Sequence, residues 1–412
     1  MTTAAPSSSI PAAAAPFRIL VVPGDGIGRE VIPAALEVLR TTGLPFEFVP
    51  AEAGWECFQR HGASLPDETL AAARAADAVL FGAVSSPSHS VAGYRSPIVG
   101  LRRALDLYAN IRPVRTKDER RKTKDGESDP FVLRPSSFVD LVVVRENTEG
   151  LYAGQETSDG ETAVARRVIT RKASERIARA AFELARARRT TNDQRPTEFE
   201  QGHLSSFVLR PSSEPKVTIV HKANVLRETC GLFRASALAV AEEYPDVAVD
   251  EQLVDSAALQ LVQRPERFDV LVTTNMFGDI LSDVASYWCG GLGMATSANI
   301  GDSHALFEPV HGSAPDIAGQ GIANPLAAIG CAAMLLEYAA RRRAPGAEYL
   351  AWAARIRSAI KATLAVDIRT PDLGGTARTE DVTHAIIVSM TIPSPTMSRQ
   401  GQRVPHEYAQ SQ

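Results

Sequence analysis

The sequence predicts an α/β protein, and three observations carry that reading. Five short runs rich in Val, Ile and Leu read as buried parallel strands: 17–22 (FRILVV), 78–84 (AVLFGAV), 138–144 (FVDLVVV), 216–221 (KVTIVH) and 268–273 (FDVLVT). Segments with helical period lie between them. In 173–188, Ile177, Ala180, Ala181 and Leu184 form an i, i+3, i+4, i+7 stripe against arginines and glutamates. Strands alternating with helices make an α/β architecture, and 412 residues at 44% hydrophobic content can fill the core of more than one domain.

Taken in order, residues 1–16 are, apart from Met1 and Ile10, Ala, Ser, Pro and Thr without an acid, as a mitochondrial matrix leader would be. The first arginine is only Arg18, so a cytoplasmic location is the alternative, and the leader is expected to be disordered. The strand 17–22 runs into a glycine-rich turn, Pro23-Gly24-Asp25-Gly26-Ile27-Gly28. A dinucleotide fingerprint needs G-x-G-x-x-G, whereas this turn spells G-x-G-x-G. No acid ends a second strand about 20 residues on, where a Rossmann ribose contact would lie. The turn alone is a strand-to-helix connection as readily as a ligand loop.

Two charged segments without periodicity, 115–137 and 188–215, read as flexible surface insertions. Each ends in the same heptapeptide, Phe-Val-Leu-Arg-Pro-Ser-Ser, at 131–137 and 207–213. After the last strand, Asp279 and Asp283 stand four apart, so a helix puts them on one face. Like charges there repel unless a positive group sits between them. Ile280, Leu281 and the preceding apolar strand predict burial of that face, and oxygen ligands of this kind suit Mg²⁺ or Mn²⁺. The tail 391–412 is polar and expected to be disordered.

The bulk numbers exclude other classes. Forty-four basic against 48 acidic residues give a net charge of −4, which calls for no nucleic-acid partner and no anionic membrane. The apolar runs fall short of a span of about 20 residues. Cys57, Cys230, Cys289 and Cys331 lie far apart, as reduced thiols do, without zinc spacing.

Two longer stretches decide more than the turn. Val21–Val31 (VVPGDGIGREV) and 308–319 (EPVHGSAPDIAG), followed by 321–325 (GIANP), resemble the β-decarboxylating dehydrogenases of the isocitrate/isopropylmalate dehydrogenase family. The resemblance spans roughly 17–390, outside the two insertions. It implies that family's two-domain fold with a non-Rossmann cofactor site. Residues 17–115 plus 290–390 would form the cofactor domain, and 116–289 an inserted domain that builds a homodimer with a shared active site; such dimers can pair into tetramers.

The resemblance also assigns roles. Arg102, Arg112 and Arg145, each unremarkable alone, would hold the substrate carboxylates, since guanidinium grips carboxylate with two bonds. Asp279 and Asp283 would bind the metal with Asp255 of the neighbouring chain. Lys222, otherwise a strand-end charge, would be the base, and Tyr152, otherwise a packing ring, the acid. The cofactor would meet Val84, Ser85, Asn224, Glu308, His311, Gly312, Ser313, Ala314, Asp316, Ile317 and Asn324. Asp316 would accept from a ribose diol and repel a 2′-phosphate, which implies NAD; NADP-using relatives carry Lys and Tyr at Asp316 and Ile317.

For the substrate, 81–113 together with RENTEGLY (145–152) and TPDLGG (370–375) resembles the homoisocitrate branch of that family. A small tricarboxylic 2-hydroxy acid is implied, with Ser86, and Arg95 or Ser96, on its distal carboxylate. Polar groups there reject an apolar branch, which would leave them unpaired. Val99, where some relatives have arginine, would let isocitrate in. The implied reaction is oxidative decarboxylation of (homo)isocitrate to 2-oxoadipate and CO₂ in lysine biosynthesis. The alternatives are an isocitrate, isopropylmalate or malate/tartrate dehydrogenase, or a non-catalytic regulatory subunit.

Overall fold

A computed structural model describes residues 15–87, 89, 91–116, 138–188 and 215–392. In chain order the elements are β1 (Phe17–Gly24), α1 (Gly28–Thr41), β2 (Phe46–Pro50), α2 (Trp55–His61), α3 (Asp67–Ala75), β3 (Ala78–Ala83), α4 (Pro97–Ala104) and β4 (Ala109–Arg115). Then come β5 (Asp140–Glu146), β6 (Glu156–Ser158), β7 (Ala163–Ala165), α5 (Arg171–Ala187), β8 (Lys216–His221), α6 (Thr229–Ala241), β9 (Ala248–Leu253) and α7 (Val254–Gln263). The last are β10 (Val270–Thr273), α8 (Asn275–Ser286), β11 (Thr296–Ile300), β12 (Ala305–Pro309), α9 (Leu326–Arg342), α10 (Gly346–Ala365) and α11 (Thr379–Thr391).

Ten strands form one sheet in the order β2-β1-β3-β12-β11-β4-β5-β10-β8-β9. The five apolar runs are all strands, but they are not one parallel set. β2, β1, β3 and β12 run parallel, as do β5, β10, β8 and β9. The pairs β12–β11, β11–β4 and β4–β5 are antiparallel, so the two groups point in opposite directions. A buried apolar run has the same composition whichever way it points, so the sequence carried no sign of the reversal.

The antiparallel centre has two unlike faces, because side chains alternate along a strand. Ala109, Ile111, Val142, Val144, Ala298, Ile300 and Phe307 point into the main core, which includes the buried length of α9. Asn110, Arg112, Arg145, Ser297, Asn299 and Glu308 take the alternate positions and are buried without being apolar. That polar face is where the candidate site lies.

β5 and β8, the strands that follow the two insertions in sequence, flank β10 in parallel, so both begin at the same end of the sheet. Both boundaries need correcting, because Arg115 ends β4 and Arg188 caps α5. Arg188 is 2% exposed, with Nε 2.6 Å from Asp269 and Nη2 3.1 Å from Asp140, and Arg115 also pairs with Asp140 at 3.1 Å. These ion pairs tie residues of flexible appearance to the strands. Both copies of the heptapeptide, residues 1–14 of the leader and the tail beyond 392 lie outside the described residues.

Candidate active site

The polar face is wired by asparagines. Arg112 Nε donates to Asn110 Oδ1 at 2.8 Å, and Asn110 Nδ2 donates to Asn299 Oδ1 at 2.8 Å and to Ser297 Oγ at 2.7 Å. Asn299 Nδ2 donates to Glu308 Oε1 at 2.8 Å, and Arg102 Nη2, from α4, donates to the same oxygen at 2.7 Å. Arg102 and Glu308, assigned to substrate and cofactor, are thus paired with each other. Sequence reading missed Asn110 and Asn299; the one signal was polar alternation with apolar residues in Ala109-Asn110-Ile111-Arg112.

Arg145 is the penultimate residue of β5 and is 1% exposed. Its Nε and Nη2 donate to Asn275 Oδ1 at 3.0 and 2.6 Å, and Nη1 donates to Asp279 at 2.5 Å. Arg112 reaches both Asp279 and Asp283 at 3.3 Å, which supplies the positive group that two carboxylates on one helical face require. The Tyr152 hydroxyl donates to Asp279, and the Arg145 guanidinium stands 5.1 Å from the Tyr152 ring centre. Burial was predicted for this helix face through Ile280 and Leu281. Leu281 is buried, but Ile280 is 52% exposed, because α8 turns Phe277, Gly278, Leu281 and Ser282 inward and Ile280 lies off that stripe.

The electrostatics favour an anion. Burial, then the neighbouring Arg112 and Arg102 charges, push the Arg145 guanidinium below its usual range. Burial does the same to Arg112, against the pull of Asp279. Burial raises Asp279, yet Arg145, Arg112 and the Tyr152 hydrogen bond outweigh it and hold this carboxyl below the usual range. Burial raises Asp283, with Asp279 adding to the effect. Burial and the Asp279 contact raise Tyr152, so it keeps its proton at neutral pH.

Lys222 follows β8, and Asp255 opens α7 after β9, at the edge where β5 also ends. Lys222 Nζ donates to Asp255 at 2.5 Å, and the Asp255 side chain is 65% exposed. Among the described residues no three His, Cys, Asp or Glu converge within this chain. Asp279 and Asp283 supply hard oxygens on one helix face, which fits a divalent cation whose remaining ligands come from substrate and a second chain.

The predicted cofactor residues fall on three loops. Val84 and Ser85 follow β3, and Ser85 Oγ donates to Ser313 Oγ at 2.7 Å, joining the first loop to the 308–319 segment. Asn224 is exposed just after Lys222. In the 308–319 segment Gly312, Asp316 and Gly319 are exposed, Ile317 is half-buried, and Ala314 takes φ +39°. His311 Nδ1–H donates to Gly312 O at 2.9 Å, while its buried Nε2 has no protein partner, a nitrogen that a bound cofactor would satisfy. Asn324 Nδ2 donates to Asp372 at 2.9 Å. Ser86 and Arg95 are exposed, and Ser96 caps α4.

The glycine turn braces these loops rather than cradling a phosphate. The buried Asp25 carboxylate accepts from Trp55 N at 2.7 Å, Glu56 N at 3.0 Å and Ser85 N at 2.9 Å. Gly26, at φ +52°, leaves no room for a side chain: a Cβ would lie 2.1 Å from Ser313 O. That approach lets Ile27 N donate to Ser313 O at 2.9 Å.

Buried guanidiniums beside paired carboxylates and a phenol make a site suited to an anionic ligand. Known proteins agree. A family model described as Isocitrate/isopropylmalate dehydrogenase matches residues 18–194 and 203–386. The isocitrate/homoisocitrate dehydrogenase of Thermus thermophilus is 49% identical over 376 residues, 91% of this chain and 98% of that protein. The 3-isopropylmalate/3-methylmalate dehydrogenase of Methanocaldococcus jannaschii is 47% identical, over 90% and 97%. The crystal structure of isocitrate dehydrogenase from Methylococcus capsulatus matches with a TM-score of 0.76 at 41% identity, over 91% and 99%. The chain belongs to the isocitrate/isopropylmalate dehydrogenase family. It has that family's fold and is an oxidoreductase of the β-decarboxylating type, a class that works with NAD(P) and a divalent cation.

Proposed function

We propose that the protein oxidises and decarboxylates a tricarboxylic 2-hydroxy acid, homoisocitrate with isocitrate as a second substrate, using NAD and Mg²⁺ or Mn²⁺. The product from homoisocitrate is 2-oxoadipate, for lysine synthesis. The observation that carries this reading is the cluster of Arg102, Arg112 and Arg145, nearly buried and pressed together beside Asp279 and Asp283. Like charges held so close are stabilised by an anion with more than one carboxylate.

The chain's own groups have definite tasks. The three arginines fix the carboxylates, so the reacting carbon is held in one orientation. Lys222 takes the hydroxyl proton, for which it must leave Asp255, and a bound nicotinamide would accept the C–H hydride. The bond to the β-carboxylate then breaks, CO₂ departs, and the electron pair left on the carbon forms an enolate. Tyr152, kept protonated by its surroundings, delivers a proton to that carbon. A bound cation would draw electron density from the hydroxyl and carbonyl oxygens, with Asp279, Asp283 and Asp255 holding it.

The functional unit in this reading is a homodimer. Lys222 and Asp255 satisfy each other within the chain instead of reaching Asp279. Val225, Leu259, Ile280 and Tyr287 are exposed apolar groups on the elements that carry these residues, a surface that suits a second copy. Asp316, exposed in the 308–319 segment, supports NAD over NADP.

The test is NADH formation with Mg²⁺ from homoisocitrate, isocitrate, 3-isopropylmalate and malate, compared by kcat/KM. Homoisocitrate should lead, followed by isocitrate. Strong preference for isopropylmalate would overturn the substrate assignment, and no turnover at all would favour a regulatory subunit.

A further inference from the structure

The loop that leaves β3 and carries Ser85 and Ser86 is gripped at every polar point of Ser85. Its N–H donates to Asp25 at 2.9 Å, and its hydroxyl donates to Ser313 at 2.7 Å. Its carbonyl accepts from the Tyr94 hydroxyl at 2.9 Å. One hydroxyl, nine residues along the chain, thus pins the peptide unit that joins Ser85 to Ser86.

The ring of Tyr94 is itself held. It meets Trp55 edge-on at 5.3 Å and 79°, and Phe58 at 5.4 Å and 81°. Trp55 and Phe58 stack on each other at 5.6 Å, and both belong to α2, whose first turn is anchored by the Asp25 carboxylate. Gly93 has φ +81°, which only glycine adopts freely, and it turns the chain so that Tyr94 enters this notch. On the far side, Ser64 Oγ donates to Arg95 O at 2.5 Å. Both ends of the loop are therefore anchored to α2 and its flanks.

We propose that Tyr94 is a positioning residue for substrate selection, which holds Ser86 where a distal substrate carboxylate arrives. The inference rests on the tricarboxylate reading for its substrate, but not for the pin itself. A carboxylate accepts strongly from a hydroxyl, so it binds Ser86 in a position already set. An apolar branch forms no such bond and draws nothing from that placement.

Tyr94→Phe keeps the ring in its notch and removes only the hydroxyl. In the full-length enzyme with Mg²⁺ and NAD, kcat/KM for homoisocitrate and isocitrate should fall about five- to tenfold, the worth of one hydrogen bond. The loss should lie in KM, with kcat within about twofold and any isopropylmalate turnover unchanged. Amide hydrogen exchange over 84–96 in the substrate-free enzyme should quicken by a similar factor at an unaltered melting temperature. Equal losses on every substrate through kcat, or unchanged exchange over 84–96, would overturn the inference. If the wild type turns over only isopropylmalate, the tricarboxylate reading falls, and the exchange result alone decides whether Tyr94 pins the loop.

Discussion

Gly278→Ala adds one methyl group, yet the structure predicts a large effect. Gly278 sits in the first turns of α8, where alanine ordinarily gains about 1 kcal/mol over glycine. Here a Cβ would lie 2.6 Å from both Cβ and Cγ of Arg145. Those atoms are the stem of a side chain clamped by Asn275 and Asp279, not a free end that swings aside. Ordinary contact requires a displacement of roughly 1 Å, with an overpacking cost of about 1–3 kcal/mol. That offsets the propensity gain and leaves the variant up to about 2 kcal/mol less stable. The larger effect is on activity, because the shift moves the guanidinium and Asp279 together, and a misplacement of about 1 Å can cost around 100-fold. Urea unfolding and kcat/KM for the best substrate measure the two effects. A variant that is more stable than wild type and retains full kcat/KM would refute the packing argument.

Other perturbations follow from the same structure. Arg188→Met should lower stability by about 3–5 kcal/mol in urea unfolding, because it strands Asp269 beside a buried edge, while the folded enzyme keeps its kcat. Asp316→Asn should raise the NADP-to-NAD ratio of kcat/KM about tenfold by removing a charge that repels a 2′-phosphate. Burial lowers both His221, against the opposing pull of Glu251, and His311. Their folded values lie below the unfolded value near 6.5, so their contribution is complete above about pH 6.5. It is lost as pH falls through the folded values, and the urea midpoint should drop over that range less steeply in a His221→Gln, His311→Gln variant.

The parts of this molecule differ in how legible they were. β3 and β8 were plain because Ala78–Ala83 is apolar throughout, and the run of Val217, Ile219 and Val220 is interrupted only by one small buried threonine, Thr218. β4 was hidden because Ala109–Arg115 carries Pro113 and two arginines, of which Arg112 serves the site and Arg115 pairs with Asp140. The pairing of Asp279 with Asp283 could be read from a spacing of four residues. The cation between them could not, since Arg112 lies 171 positions before Asp283 and arrives only through the antiparallel β4–β5 pair. The glycine turn was rightly excluded as a dinucleotide loop, but its actual task was invisible. An aspartate in a turn is ordinary until three backbone donors from two other segments converge on it.

The most direct test of the account is complementation between two defective chains. Lys222→Met and Asp279→Asn should each abolish NADH formation alone. If each site draws Lys222 from one chain and Asp279 from the other, unfolding and refolding an equal mixture restores intact sites in half of the mixed dimers' positions. About a quarter of wild-type activity should return. A mixture as inactive as its components, with mixed dimers verified by mass, would contradict the shared site.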